Sequence, residues 1–107
     1  MDIMDKDLIT LNEEKNDGST IFLYFNDEIG FYTAYGYSAF LVSHVVDPVC
    51  SYSTGFEMPV AMVSKSEILE LRRSLKKMQH VQHSFYQFGL RTPVGKSGYA
   101  RWIKSLK

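Results

Sequence analysis

The segment "IFLYFNDEIGFYTAYGYSA", residues 21–39, decides the fold because two runs of β-branched and aromatic residues flank a short polar turn. The first run, "TIFLYF" at 20–25, is continuous, which is typical of a strand covered on both faces. The second run, "IGFYTAY" at 29–35, also favours a strand. The "NDE" between them is a turn sequence, so the segment predicts a β-hairpin.

Helical and strand patterns alternate after this hairpin. Residues 36–46, "GYSAFLVSHVV", have apolar residues at helical spacing, and the Asp-Pro at 47–48 is a helix-ending signal. Residues 50–55, "CSYSTG", are predicted to be a loop. Residues 56–63, "FEMPVAMV", are predicted to be a third strand, in which Pro59 implies an edge position or a bulge.

The clearest helical pattern is "SKSEILELRRSLKKMQ", residues 64–79. Ser64 and Glu67 fit a capping box, in which each side chain bonds the other residue's free backbone N–H. The predicted apolar stripe consists of Ile68, Leu71, Leu75 and Met78. Residues 80–89, "HVQHSFYQFG", alternate partly and predict a fourth strand.

This order of elements predicts an α+β fold, with a mixed β-sheet of about four to six strands and flanking helices. At 107 residues the chain fits a single domain, 1–107. Within it we expect a weak N-terminal element over 1–19, a core over 20–90, and a basic C-terminal tail over 91–107.

Composition limits the class of protein. With 45% hydrophobic and 22% charged residues the chain is expected to form a globular core. Its apolar runs are far shorter than the roughly 20 residues that cross a bilayer, so no membrane contact is predicted. The acidic N-terminus does not resemble a signal peptide, which predicts a cytoplasmic location. Cys50 is the one cysteine, so no internal disulfide can form.

The formal net charge of zero conceals a division along the chain. Residues 1–30 contain eight acids and two bases, whereas residues 31–107 contain four acids and ten bases. All ten of those bases follow residue 63. Such a concentration of bases could attract phosphate, or it could attract the acidic N-terminal part of the same chain.

No motif predicts catalysis or a cofactor. "VGKSG", residues 94–98, lacks the earlier glycine and the long following helix of a phosphate-binding loop. The histidines and Cys50 do not have the spacing of a zinc site. No nucleophile has a base placed to activate it. We therefore expect a non-enzymatic protein with no metal and no cofactor.

The segment "IFLYFNDEIGFYTAYGYSA" resembles the N-terminal mismatch-recognition domain of the MutS mismatch-repair family. The matching positions are "LYF" at 23–25, Phe31 and Tyr32 for the family's Phe-Tyr pair, and Ala39 near the start of its helix. "MPVAMVSKSEILELRRSL", residues 58–75, is similar to the family's later strand and helix. The resemblance covers roughly residues 21–78 and rests mainly on order and spacing.

The resemblance implies a nucleic-acid-binding accessory module without catalysis. Phe31 stands where the family has the ring that wedges into a base step of DNA, and Thr33 stands where it has a glutamate near the displaced base. The DNA expected is mismatched, deformable or single-stranded. The predicted phosphate contacts are the basic residues Arg72, Arg73, Lys76, Lys77, Arg91, Lys96, Arg101 and Lys104.

Each of these residues also has a simpler interpretation. Phe31 could pack in the core or in a subunit contact, and the basic residues could form solvated helix faces. The alternative function is a protein-interaction or structural module, including a homodimer, that has this fold without binding DNA. Thr33 in place of the glutamate and the acidic first 30 residues favour that alternative.

Overall fold

The predicted hairpin lies at the centre of a six-stranded sheet. The computed structural model describes residues 6–26, 29–75, 77–82, 85–90 and 94–107. The elements, in chain order, are α1 (Lys6–Lys15), β1 (Thr20–Asn26), β2 (Phe31–Tyr35), α2 (Gly36–Val42), β3 (Val49–Ser53), β4 (Met58–Val63), α3 (Lys65–Ser74), β5 (Lys77–Gln82), β6 (Phe85–Gly89) and α4 (Tyr99–Leu106).

The strand order is β3-β4-β2-β1-β6-β5, and every neighbouring pair is antiparallel. The predicted α+β class and the upper end of the predicted strand count are confirmed. The prediction of a mixed sheet is wrong. The sheet consists of three consecutive hairpins, β1–β2, β3–β4 and β5–β6, and a hairpin joins antiparallel strands without the long crossover that a parallel pair needs.

The two faces of the sheet have different coverings. The helix face carries Leu23, Ala34 and Val63, and the buried side chains of α2 and α3 pack on it together with the aromatic side of α4. The open face carries Tyr24, Thr33 and Tyr35, and Ile9 of α1 packs against its two tyrosines. The side chains of β2 therefore alternate between the two faces, with Ala34 on the helix face and Thr33 and Tyr35 on the open face.

The predicted helix over 64–79 is too long. The capping box at Ser64 and Glu67 is present, but the helix ends at Ser74 and Leu75 has an extended backbone. Met78, assigned to the apolar stripe of the helix, belongs instead to strand β5. In β5, Met78 pairs with Phe88 of β6. This pairing between strands outweighs the local helix propensity of the segment.

Two further predictions are corrected in the strands. The range 80–89, expected to form one strand, includes the end of β5 and all of β6, which pair antiparallel, and residues 83–84 between them lie outside the described residues. Residues 50–53, expected in a loop, belong to β3, because pairing with β4 compensates for the weak strand propensity of serine. Pro59, expected at an edge or a bulge, lies in the interior strand β4, where it precedes the first β2–β4 pair, Tyr35 with Val60.

The terminal elements are two helices, α1 over Lys6–Lys15 and α4 over Tyr99–Leu106. α1 is followed by a turn at Asn16–Ser19, and α4 docks through an aromatic cluster. In that cluster the ring centroids of Tyr99 and Trp102 lie 5.3 and 5.4 Å from that of Phe40. Within the described ranges, no helix combines the length and the apolar composition needed to cross a bilayer.

Gly18 joins the first turn to the segment before α4, and we expect Gly18→Ala to be strongly destabilising. Its φ is +92°, and an added Cβ would overlap the Val94 carbonyl oxygen and approach the Tyr37 hydroxyl to 2.7 Å. The expected loss of unfolding free energy is about 2 kcal/mol or more, measured by chemical denaturation. Gly95→Ala is the control, because a Cβ there meets no atom within 4 Å. Equal losses in the two variants would contradict this account.

Candidate functional site

A pocket on the helix face combines aromatic and basic side chains. It lies between α3 and the sheet, has a volume of about 320 Å³, and is lined by Tyr32, Lys65, Ile68, Leu69, Arg72 and Tyr86. The guanidinium carbon of Arg72 lies 5.8 Å from the centroid of the Tyr86 ring. The rings of Tyr32 and Tyr86 meet edge to face, with their centroids 5.1 Å apart. We call this the tyrosine–arginine pocket.

The elements around the pocket explain its composition. Tyr32 and Tyr86 point to the helix face from β2 and β6, on either side of β1. Lys65 and Arg72 are seven residues apart on α3, and two helical turns bring both to one side of the helix. Burial raises the pKa of Tyr32, and the neighbouring Tyr86 raises it further, while Arg72 acts in the opposite direction. The Tyr32 hydroxyl is therefore neutral at physiological pH, and the charged side chains that line the pocket are its two bases, Lys65 and Arg72.

The other predicted phosphate contacts are dispersed. Arg73 is exposed on α3, and Arg101 and Lys104 are exposed on α4. Lys96 is exposed before α4, with its ammonium nitrogen 5.1 Å from the centroid of the Tyr37 ring. Lys77 begins β5, but its side chain is not described, and Lys76 and Arg91 lie outside the described residues.

Phe31 and Thr33 are on the open face, opposite the tyrosine–arginine pocket. The adjacent residue Tyr32 lines that pocket, so the strand period directs Phe31 and Thr33 to the other side of the sheet. Phe31 is 37% exposed, whereas Thr33 is only 3% exposed. The structure thus brings Arg72 together with Tyr32 and Tyr86, but not with Phe31.

A second, shallower depression lies on the open face. Its volume is about 240 Å³, and it contains no charged side chain among the residues that line it: Asn26, Ile29, Thr33, Tyr35, Ser51, Ser53, Phe56, Val60 and Met62. The Thr33 hydroxyl is buried beside it and has no hydrogen-bond partner in the part of the chain that the structure describes. A buried unsatisfied hydroxyl is a cost to the folded state.

A buried polar cluster connects α1 to the start of α2. Glu13 accepts hydrogen bonds from the backbone N–H of Ser38 at 2.8 Å and from the Ser38 hydroxyl at 2.6 Å. The Asn16 amide donates to the Ser38 hydroxyl at 3.3 Å and to the carbonyl oxygen of Thr20 at 2.7 Å. Because the side chain of Tyr35, the N-cap residue of α2, makes no capping hydrogen bond, Glu13 performs the capping role from another helix.

Glu13 is only 7% exposed, and burial raises the pKa of its carboxyl group from 4.5 to about 7. The hydrogen bonds from Ser38 and Asn16 act in the opposite direction but do not cancel the burial. A raised carboxyl pKa can mark an active site. Here, however, both carboxylate oxygens bond groups of the fold, so we assign Glu13 to structure. Nor do three metal-ligating side chains cluster anywhere in the described ranges.

Sequence reasoning missed both the pocket tyrosines and Glu13. The alternation in "FYQF" at 85–88 puts Tyr86 on the face of Phe88, which would have identified it as a neighbour of β1. A signal for Glu13 also existed, since the helix starting at Gly36 has no capping residue before it and therefore requires an acceptor from elsewhere.

No known family model, curated protein or solved structure matches this chain. The resemblance to the mismatch-recognition domain therefore stays a prediction from the sequence motifs.

We expect Glu13→Gln to flatten the pH dependence of stability. The folded pKa of Glu13 lies above its ordinary value, so its contribution is complete below about pH 4.5 and is lost as the pH rises through 7. That loss is about 3 kcal/mol in the parent and absent in the neutral variant. The measurement is urea denaturation at intervals across this range. The exposed neighbour Glu14→Gln should keep the parent's profile, and a parental profile in Glu13→Gln would contradict the assignment.

Thr33→Val should stabilise the protein, because valine has nearly the same shape and removes the unpaired buried hydroxyl. The expected gain is about 1 kcal/mol of unfolding free energy, measured by chemical denaturation. Thr54→Val, at an exposed turn position, should give no comparable gain. A loss of stability in Thr33→Val would mean that the hydroxyl has a bonding partner.

Proposed function

We propose that this protein is a non-catalytic nucleic-acid-binding module that holds single-stranded DNA or RNA in the tyrosine–arginine pocket. The observation that carries the proposal is the placement of Lys65 and Arg72 beside two tyrosine rings in one cavity. Single-strand binding proteins use the same combination, with basic side chains along the phosphates and aromatic rings against the bases.

Each part of the pocket has a distinct task. Arg72 and Lys65 contact the phosphates, and the guanidinium can bond two phosphate oxygens at once. A base enters against the Tyr86 ring and the Arg72 guanidinium that lies over it, while Ile68 and Leu69 provide an apolar wall. Stacking of this kind contributes about 1 to 3 kcal/mol per base. The pocket is at the small end of ligand cavities, and a base must leave a duplex to enter it.

The exposed bases near the pocket also favour nucleic-acid binding on the helix face. Helix α4 carries Arg101 and Lys104 and no acid, and Arg73 is exposed next to Arg72. These bases attract a phosphate chain that extends beyond the pocket. The Phe31 wedge hypothesis places the contact on the opposite face, so variants can separate the two hypotheses.

Arg72→Gln and Lys65→Gln are expected to weaken single-strand binding, each by roughly tenfold, through loss of a charged phosphate contact. Fluorescence anisotropy with an oligonucleotide of about 12 nucleotides, at about 50 and 200 mM salt, measures affinity and salt dependence together. Each variant should also lower the slope of log affinity against log salt by about one.

Two matched controls test the location of the site. Lys15→Gln removes the same charge from α1, on the open face, and should leave affinity unchanged. Phe31→Ala should also bind like the parent. Loss of binding in Phe31→Ala with full binding in Arg72→Gln would reject the pocket and favour the wedge. A tighter complex with duplex than with single strands would also contradict the proposal.

A second candidate function, a protein-interaction module, is favoured by a different observation. On and beside the open face, Ile29 and Val49 are exposed together with Phe31, and the depression between them is uncharged. Exposed apolar groups of this kind suit contact with another protein. Absence of nucleic-acid binding at about 50 mM salt, where phosphate contacts are strongest, would leave this candidate as the better one.

A further inference from the structure

The outer edge of β3 is an unpaired strand edge. β3 is the last strand of the sheet, and among the described residues its one strand partner is β4. Its sequence, "VCSYS", has no charged residue and no proline. Edge strands of natural proteins are commonly protected by lysine or by proline, and Pro48 lies just outside this strand. The unpaired N–H and C=O groups along the edge can therefore accept another strand.

The strand is compatible with a second copy of itself. In a two-fold antiparallel pairing centred on Ser51, Cys50 of each copy lies opposite Tyr52 of the other, and Val49 lies opposite Ser53. No like charges meet anywhere in this register. Val49 is 61% exposed in the single chain, so the pairing also removes apolar surface from water.

Charges of both signs lie near the two ends of β3. The Lys107 ammonium nitrogen lies 4.6 Å from the centroid of the Tyr52 ring, and exposed Glu57 lies in the turn that follows the same end of the strand. At the other end the Cys50 thiol has a raised pKa, chiefly through burial and also through the negative charges of Asp47 and Glu67. The two-fold pairing brings Lys107 of one copy to the end of β3 where Asp47 of the other copy lies.

We propose that two copies of this chain pair through β3, in antiparallel register centred on Ser51, to form one continuous twelve-stranded sheet. The two-fold axis is perpendicular to the sheet, so both helix faces lie on the same side. A five-residue ladder is at the small end of protein interfaces, and the dissociation constant is therefore roughly 0.1 mM. This proposal is independent of nucleic-acid binding.

Site-specific disulfide formation tests the register. In a Cys50→Ser background, Ser51→Cys places two thiols directly opposite, with Cα atoms about 4.5 to 5.5 Å apart, within disulfide range. The expected result is that most of the protein forms a covalent dimer in a glutathione redox buffer. Val49→Cys in the same background is the control. Its two thiols would be about 13 Å apart along the strands, although position 49 is the more exposed.

Sedimentation velocity of the unmodified chain between about 0.01 and 1 mM should show the monomer converting to dimer. Ser51→Lys places two ammonium groups at the two-fold axis and should abolish the dimer, whereas Ser97→Lys adds the same charge in an exposed loop and should not. A monomer at all concentrations would overturn the proposal. So would equal cross-linking at positions 49 and 51, or a dimer that persists in Ser51→Lys.

Discussion

The structure depends on the bonds that join Glu13 and Asn16 to Ser38. Ser38 is fully buried at the start of α2, and its hydroxyl also accepts the backbone N–H of Phe22 in β1 at 3.0 Å. One side chain thus holds α1, α2 and the central strand in a fixed relation. Gly36 has a φ of +58°, and a Cβ there would lie 3.2 Å from the Glu13 side chain, so glycine allows this close approach. The open face and the helix face are placed by this junction, because α1 covers one and α2 the other.

The sequence specified the central hairpin and the cap of α3, because both are encoded by local patterns. β3 and β5 were not predictable in the same way. "VCSYS" has weak strand propensity and "KMQHVQ" continues a helical charge pattern, so both become strands only through a partner that is distant along the chain or in a hairpin. The antiparallel arrangement of the whole sheet likewise depends on how the hairpins pair with one another, and the periodicity of a single segment does not predict that pairing.

The candidate site was predictable in part. The basic character of α3 and the aromatic character of β2 were evident in the sequence, and Arg72, predicted as a phosphate contact, lines the pocket. Which tyrosine meets which base depends on the position of β6 beside β1. The motif indicated Phe31, whereas the neighbouring residue Tyr32 lines the pocket. Adjacent residues of a strand point to opposite faces of the sheet, so this difference of one position moves the site from one face to the other.

The opposite placement of charge on the two faces gives a neutral molecule a permanent electric dipole. On α1 the exposed acids Asp7 and Glu14 outnumber the exposed base Lys15, whereas on α3 and α4, across the sheet, the exposed bases outnumber the exposed acid Glu70. A uniform electric field exerts almost no net force on such a molecule, but it exerts a torque that rotates the molecule. Near a polyanion the helix side is therefore rotated inward before any contact forms, so charge separation can shorten the orientational search even though the formal net charge is zero.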